Sequence, residues 1–347
     1  VPVAEYLHAL GRELELRYPA RDRGGADTLY FGGGTPSLLG ADGVARMMDI
    51  VTAHFAPVAG TEVTLEANPE DVTPHAVRAW RDAGINRVSL GAQSFDANVL
   101  AWMHRGHSPG RIEESVRALR GEGIENVSID LIFAVPDVLA RDWRADVERA
   151  VALAPPHLSF YGLTVEPATP LGKWRERGDV TEAPEERFEL EFLGAHELLA
   201  GAGYEHYEVS NYGRPGHRSR HNSSYWDRRP YAGVGPSAHA FDGERRRWNV
   251  AAYAEWAALT SAGSDPIEGA ENLSDANRRA EEVYLGLRTT DGLAVNDDER
   301  EVGAPWIAEG WATLTNGRLR LTPSGWLRLD SIAASLGSRI VDRESRD

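Results

Sequence analysis

The sequence predicts an α/β fold in which parallel strands alternate with helices. Short apolar stretches of the kind found in buried strands are separated by longer amphipathic stretches, a pattern typical of parallel βαβ units. The 347 residues are also sufficient for one large domain and one small domain. The pattern alone is compatible with three folds: an open barrel, a closed barrel or a doubly wound sheet.

The elements of the first domain follow in chain order. Asp27–Gly32 is an apolar stretch that ends in glycines, Thr61–Glu66 alternates polar and apolar residues, and Thr73 with Pro74 predicts a helix N-terminus. Strands are predicted over Asp27–Gly32, Thr61–Glu66, Arg87–Gly91, Asn126–Phe133, His157–Val165 and Tyr204–Ser210. Helices are predicted over Val1–Tyr18, Ala41–Phe55, Thr73–Ala83, Ala97–His104, Arg111–Gly121, Arg141–Leu153 and Glu185–Ala202.

The pattern changes after Ser210. Asn211–Asp242 shows no period, and so long a loop in a compact protein is usually functional or mobile. The rest predicts a small winged-helix-like α+β unit, with a hairpin because Asn-Gly lies between apolar residues. Its predicted parts are a helix over Val250–Ser261, a linker over Gly263–Gly269, helices over Leu273–Arg288, Asn296–Glu309 and Thr322–Leu336, and the hairpin around Asn316 and Gly317. The predicted domains are 1–210, 211–249 and 250–347.

The composition excludes several classes of protein. A net charge of −16 opposes binding to nucleic acid, and the absence of cysteine excludes disulfides and thiolate metal sites. No stretch approaches the roughly 18 apolar residues of a membrane-spanning helix, and no signal peptide is visible. We therefore expect a cytoplasmic protein, with peripheral membrane contact left open.

Candidate functional residues lie where predicted strands end. Gly33, Gly34 and Thr35 follow the first strand, where glycines let a ligand approach the backbone; a tight turn is the alternative. Glu66 ends the second strand, either as a ligand for an ammonium or ribose or as a surface acid. Asp130 lies inside an apolar strand, where a carboxylate needs partners, either a sugar diol or a structural salt bridge.

Three further candidates extend this set. Gln93 follows the third strand and is either a ligand contact or a turn-stabilising amide. Arg105 is either a carboxylate clamp or a solvated arginine. His221 begins His-Asn-Ser-Ser-Tyr-Trp, whose aromatic residues suit a porphyrin with the histidine as axial ligand; a packed histidine is the alternative.

Together these segments resemble the oxygen-independent coproporphyrinogen III oxidase family of radical S-adenosylmethionine (SAM) proteins, and most closely its heme-chaperone branch, HemW. The resemblance runs from Val1 to Asp347. The segments that carry it are YFGGGTPS, EANPE, VSLGAQSF, RGH, SIDLIFAVP, LSFYGLTVEPATPL, YEHYEVSNY, HNSSYW and GRLRLTPSG.

The resemblance implies a partial (β/α)6 radical SAM barrel with a C-terminal helical domain. In the family, the first strand ends in a CxxxCxxC loop that holds a [4Fe–4S] cluster. That strand would precede Val1, and the barrel as given would lack it and expose the edge of the next strand. Two accounts stay open: a chain truncated before Val1, or a true cluster-less relative. Without cysteines the chain is not expected to generate a radical, so its standing as an enzyme is undecided and no catalytic residue is assigned.

The resemblance also implies binding residues. Gly33, Gly34 and Thr35 would contact the methionine part of SAM. Its other polar groups would be held by Glu66, Gln93 and Arg105, its ribose hydroxyls by Asp130, and its adenine by backbone near Gly162. The HNxxYW motif is typical of the heme-chaperone branch, so His221 would contact heme, while Ser219 stands where relatives often have cysteine.

We therefore expect a heme chaperone that binds heme or a porphyrin and passes it to an unknown acceptor protein. Its cofactors would be SAM and, only if a missing N-terminal segment exists, a [4Fe–4S] cluster. One alternative is an oxidase that decarboxylates coproporphyrinogen III. Another is a cluster-less binding paralogue, and a third is a (β/α) fold that binds an ordinary phosphorylated or nucleotide ligand through Gly32–Gly34.

Overall fold

The computed structural model describes residues 2–19, 24–167 and 169–344, with side chains described up to residue 337 and not at Gly24. Val1 of the predicted first helix, Ala168 of the segment LSFYGLTVEPATPL, and residues 345–347 of the predicted third domain lie outside the described residues. The division of the chain into three domains remains a prediction.

A seven-stranded half-barrel sheet forms the centre of the molecule. Its first five strands are parallel and lie side by side in chain order. They are β1 Gly24–Phe31, β2 Phe55–Ala67, β3 Arg87–Gln93, β4 Asn126–Phe133 and β5 His157–Gly162. All five match predicted strands, so their carboxyl ends meet at one edge, as in other parallel sheets.

Helices cover the outer face of this sheet. Leu65, Leu90 and Ile129 are fully buried in the hydrophobic core that the helices share with the sheet. Because neighbouring strand residues point to opposite faces, the inner face carries polar residues instead. The helices are α1 Val3–Arg17, α2 Gly40–His54, α3 Pro74–Asp82, α4 Ala97–Trp102, α5 Pro109–Gly121, α6 Trp143–Ala152, α7 Pro170–Glu176 and α8 Glu185–Gly201. Thr73 caps α3 as predicted, since its hydroxyl accepts from the backbone N–H of Ala76.

The prediction that Tyr204–Ser210 forms a sixth parallel strand is wrong in its topology. This region forms β6 Glu205–Glu208, and the chain turns directly into β7 Asn211–Gly213, which lies between β5 and β6. Both pairings of β7 are antiparallel. A parallel neighbour needs a crossover of a dozen or more residues, and the short turn between β6 and β7 leaves no room for one.

Regular structure also occupies the segment predicted to be an aperiodic loop. It contains α9 Arg220–Trp226, β8 His239–Phe241 and β9 Arg245–Asn249. The predicted linker instead contributes to β10 Ile267–Asn272, which pairs with β9. The prediction failed because β9 is held by charged cross-strand pairs such as Arg246–Glu271, 3.2 Å apart, and therefore lacks an apolar alternation.

The C-terminal region is the small α+β unit that the sequence predicts. Its elements are α10 Tyr253–Ser261, α11 Asp275–Leu287, β11 Leu293–Ala294, α12 Asp297–Ala308, β12 Ala312–Thr315, β13 Arg318–Leu321, α13 Pro323–Trp326 and α14 Leu329–Glu344. The hairpin is confirmed, with positive φ at both Asn316 and Gly317. The predicted helix Thr322–Leu336 is instead two helices, separated at Leu327 and Arg328. None of the described helices has the length and apolar character needed to cross a bilayer.

Candidate functional site at the strand ends and helix α9

The glycine loop after β1 is built around the carboxylate of Glu66. The hydroxyl of Tyr30 donates to Glu66 Oε1 at 2.5 Å, and the N–H of Gly33 donates to Glu66 Oε2 at 3.1 Å. A Cβ at Gly32 would lie 2.6 Å from Glu66 Oε1, so only glycine fits there. Gly33 has φ 97°, and an added Cβ at Gly33 or Gly34 would meet nothing within 4 Å. The loop therefore offers open backbone beside a carboxylate.

A second carboxylate lies two strands away, in β4. Asp130 accepts from the hydroxyl of Ser89 at 2.8 Å and from that of Ser128 at 3.0 Å. Burial raises the pKa of Asp130, and these serines oppose that effect. Burial also raises the pKa of Glu66, opposed by the hydrogen bonds from Tyr30 and Gly33. Both carboxylates would therefore gain from a cationic or hydrogen-bonding ligand.

The other predicted residues of this edge come from neighbouring elements. Gln93 ends β3 with φ 67°, where the register with β4 shifts, so it sits in a strained bulge. Thr35 leads from the glycine loop into a short 3-10 turn. Gly162 ends β5, and a Cβ there would lie 2.4 Å from the ring of Phe188. Each residue thus lies at a strand end or in the loop that follows one.

Arg105 follows α4, near the same edge. No hydrogen bond or ion pair of its guanidinium is found among the described residues. Burial lowers the pKa of Arg105, and the charge of Glu70 opposes this. A half-buried guanidinium of this kind is suited to an anionic partner, and a carboxylate matches its fork of donors.

The sequence predicts a loop at His221, but the residue lies in the first turn of α9. Its Nδ1 is 2.8 Å from the hydroxyl of Thr28, and its Nε2 is 2.9 Å from that of Tyr225. Its ring stacks on Tyr30, with 4.8 Å between centroids and 17° between planes. Burial lowers the pKa of His221 to about 4, so the imidazole is neutral at pH 7. A neutral imidazole is the form that binds a metal ion.

Glu62 of β2 fixes the start of α9. Its two carboxylate oxygens accept from the backbone N–H groups of Arg220 and His221 at 3.1 and 3.0 Å. Ser219 caps the helix, since its hydroxyl accepts from the N–H of Asn222. The position of His221 therefore depends on strands that are far away in the sequence.

A cavity of about 1590 Å³ is lined by β1, the glycine loop after it and the segment that carries α9. His221, Tyr225, Tyr231 and Phe31 are among its lining residues. Five described arginines line it beside three aspartates, which is notable in a chain of net charge −16. The arginines are Arg218, Arg220, Arg229, Arg245 and Arg247. An aromatic wall with basic groups suits a flat ligand that carries negative charge.

Sequence reasoning missed Thr28, Tyr30 and Glu62. Thr28 and Tyr30 are two residues apart in β1 and therefore point to the same face, and Glu62 pairs with Thr28 in register. The period of two along β1 would have placed Thr28 and Tyr30 beside Gly32. Nothing local in the sequence indicates that α9 packs against them.

The residues present do not fit a [4Fe–4S] cluster. The chain contains no cysteine, and within the described residues no group of three or more His, Asp or Glu side chains could hold a metal ion. The strand ends carry a set of groups that suits SAM, namely the carboxylates of Glu66 and Asp130 and the guanidinium of Arg105. No hydrogen bond or ion pair of that guanidinium is found among the described residues. We call these groups and the glycine loop the strand-end pocket.

Comparisons with known proteins identify the family of this chain. Residues 13–150 match the Radical SAM superfamily. The heme chaperone HemW of Mycobacterium tuberculosis H37Rv is 37% identical over 334 residues, which cover 95% of this chain and 86% of that protein. HemW of Lactococcus lactis is 33% identical over 345 residues, covering 99% and 89%.

A solved structure shows the same fold. The radical SAM enzyme coproporphyrinogen III oxidase (HemN) of Escherichia coli superposes with a TM-score of 0.80, covering 97% of this chain and 83% of that one. The two sequences are 20% identical, so this likeness concerns the fold alone.

Proposed function

Because this chain belongs to the HemW family of heme chaperones within the radical SAM superfamily, we propose that it binds heme through His221 and passes it to an acceptor protein. SAM would be held at the neighbouring strand ends. The observation that carries the proposal is the neutral imidazole of His221 on the wall of an aromatic, arginine-lined cavity.

The residues around His221 explain how it would serve as a heme ligand. Thr28 and Tyr30 hold the imidazole at Nδ1 and by stacking, which leaves Nε2 as the nitrogen to bind iron. Nε2 would exchange its hydrogen bond with Tyr225 for the metal. Arginines of the cavity wall would pair with the two propionates, and the tyrosines would pack on the porphyrin face.

The strand-end residues would take the parts of SAM in order. Gly33, Gly34 and Thr35 would contact its methionine part, with the ammonium on Glu66 and the carboxylate on Arg105. Its other groups would be held by Gln93, by Asp130 at the ribose hydroxyls and by backbone near Gly162 at the adenine. In radical SAM proteins a reduced [4Fe–4S] cluster cleaves SAM to a 5′-deoxyadenosyl radical. This chain contains no cysteine that could hold such a cluster.

The free edge of β1 bears on the cluster. Among the described strands β1 pairs only with β2, so its other edge has no strand partner there. A further strand pairing there would end beside Gly32–Gly34, the position that a cysteine loop would need. An unpaired edge of this kind favours such an addition.

A heme titration tests the proposal. Purified chain is titrated with heme and the Soret band recorded for wild type, His221→Ala and His239→Ala. His239 is the matched control, because it lines the same cavity but is exposed. Losing a partner of a metal ligand costs roughly 10- to 100-fold in affinity, so losing the ligand should cost more. His239→Ala should match wild type. An unchanged Soret band in His221→Ala would refute the proposal.

A further inference from the structure

Tyr30 touches both proposed sites at once. Its hydroxyl donates to Glu66 in the strand-end pocket at 2.5 Å, and its ring stacks on His221 at the heme cavity. The phenol is rigid, so the orientation of the ring and the hydrogen bond of the hydroxyl are linked. Among the described residues no other side chain bonds to Glu66 while contacting His221.

We propose that Tyr30 is a positioning residue that couples the two sites, so that SAM bound at Glu66 raises the affinity of His221 for heme. The inference rests on the proposed function of both sites and adds a link between them.

The physical argument starts at Glu66. A carboxylate has about four acceptor positions, and Tyr30 and Gly33 use two of them, so an ammonium can bind without displacing either. The ammonium would form a charge-assisted hydrogen bond to Glu66, which is roughly twice as strong as a neutral one, and would hold in place the carboxylate to which Tyr30 donates.

The effect then reaches His221 through the ring of Tyr30. A firmly held phenol fixes the ring on which the imidazole stacks, so less freedom remains for heme binding to remove. Coupling between two sites is typically about 5- to 150-fold in affinity. One stacked side chain should lie at the low end of that range.

A second chain of contacts provides a rival route and a matched control. Ser128 bonds to both Asp130 and His157, and His157 Nε2 lies 2.7 Å from the hydroxyl of Tyr207. That hydroxyl accepts from the backbone N–H of Ser219, the cap of α9, at 3.1 Å. This chain also runs from the strand-end pocket to α9, but it bypasses Tyr30.

Two variants, each of which removes one tyrosine hydroxyl, distinguish the two routes. Heme affinity is measured by absorbance without SAM and at saturating SAM in wild type, Tyr30→Phe and Tyr207→Phe. Wild type should bind heme about fivefold more tightly with SAM. The ratio of heme affinity with SAM to heme affinity without SAM should fall to about one in Tyr30→Phe, which keeps the stacked ring. The same ratio should stay at the wild-type value in Tyr207→Phe. A ratio of one in wild type, or a ratio retained in Tyr30→Phe, would overturn the proposal.

Failure of the coupling is distinguishable from failure of the proposed function. Wild type that binds no heme, or no SAM, contradicts the function itself, whereas binding of both without mutual influence contradicts only the coupling. By linkage, heme must raise SAM affinity by the same factor, which gives an independent check. If Tyr30→Phe binds heme too weakly to titrate, Glu66→Gln replaces it. At saturating SAM the ratio should then fall to about one, and a ratio kept at the wild-type value would overturn the proposal.

Discussion

The strand-end pocket and the cavity at α9 differ in how ready they are for a ligand. In the pocket, Glu66 and Asp130 keep acceptor positions free, and Arg105 has no hydrogen-bond partner among the described residues. At α9, both ring nitrogens of His221 already have partners. The pocket is therefore preformed, whereas the proposed binding of heme iron at His221 would require the exchange of a hydrogen bond.

Ligand binding would therefore rearrange the protein at α9 more than at the strand ends. A preformed site incurs little cost on binding, while a site with satisfied groups exchanges one interaction for another. A chaperone that must release its cargo would benefit from the second arrangement, because the displaced hydrogen bond helps to expel the ligand.

The largest loss of ligand affinity is expected when a charge is removed from the preformed pocket. Glu66→Ala should weaken SAM binding about 10- to 100-fold, since a hydrogen bond to a charged group contributes about 1.5–3 kcal/mol. Isothermal titration measures the loss. Glu125→Ala is the control, because Glu125 is an exposed acid that precedes β4 at the opposite edge of the sheet. Equal SAM affinity in both variants would show that Glu66 does not hold the ligand.

His206 is a buried histidine that has no proposed ligand and can be compared with His221. Burial lowers the pKa of His206 to about 3, with the neighbouring His196 adding to the effect. Below pH 6.5 His206 is protonated in the unfolded chain but stays neutral in the folded chain, so the free energy of unfolding falls as pH falls. At pH 5 this costs about 2 kcal/mol. Urea unfolding at pH 7 and pH 5 should show His206→Gln losing less stability than wild type, and identical losses would contradict this.

A substitution at Tyr225 can free Nε2 of His221 from its hydrogen bond. Tyr225→Phe removes the hydroxyl that lies 2.9 Å from Nε2 and keeps the ring. Heme then has no hydrogen bond to displace, and about 1 kcal/mol, or roughly fivefold in affinity, should be gained. The same heme titration measures it. Weaker binding in Tyr225→Phe would mean that the hydroxyl assists heme, and that the cavity is as preformed as the pocket.

The smallest effect concerns backbone strain in the pocket. Gln93→Gly should raise the free energy of unfolding by about 1 kcal/mol, because φ 67° suits glycine, and should weaken SAM binding a few-fold. His104→Gly is the control, since His104 also has positive φ but is exposed. It should gain stability and keep SAM affinity. A loss of stability in Gln93→Gly alone would show that the amide is structural.

The two regions were also unequal in how far sequence could predict them. The strand ends follow from chain order, because parallel strands place Gly33, Glu66 and Asp130 at one edge whatever the details of packing. Helix α9 depends on Glu62 and Thr28, which lie 159 and 193 residues before His221 in the sequence. No local pattern indicates such contacts, so His221 was found as a motif while its helix and partners were missed.

The remaining failures have the same origin. The turn between β6 and β7 and the charged pairing of β9 with β10 are decided by cross-strand partners rather than by local periodicity. Predictions that rest on a period within one element succeeded, as for α8 and β4, and those that need knowledge of a partner did not.

The proposal that the imidazole of His221 binds the heme iron can be tested by chemical rescue. The visible spectrum of heme with His221→Gly is recorded before and after addition of free imidazole. The account predicts that imidazole restores the wild-type Soret band, because it fills the space left by the missing ring. A wild-type spectrum before imidazole is added, or a spectrum that imidazole does not restore, would contradict His221 as the ligand.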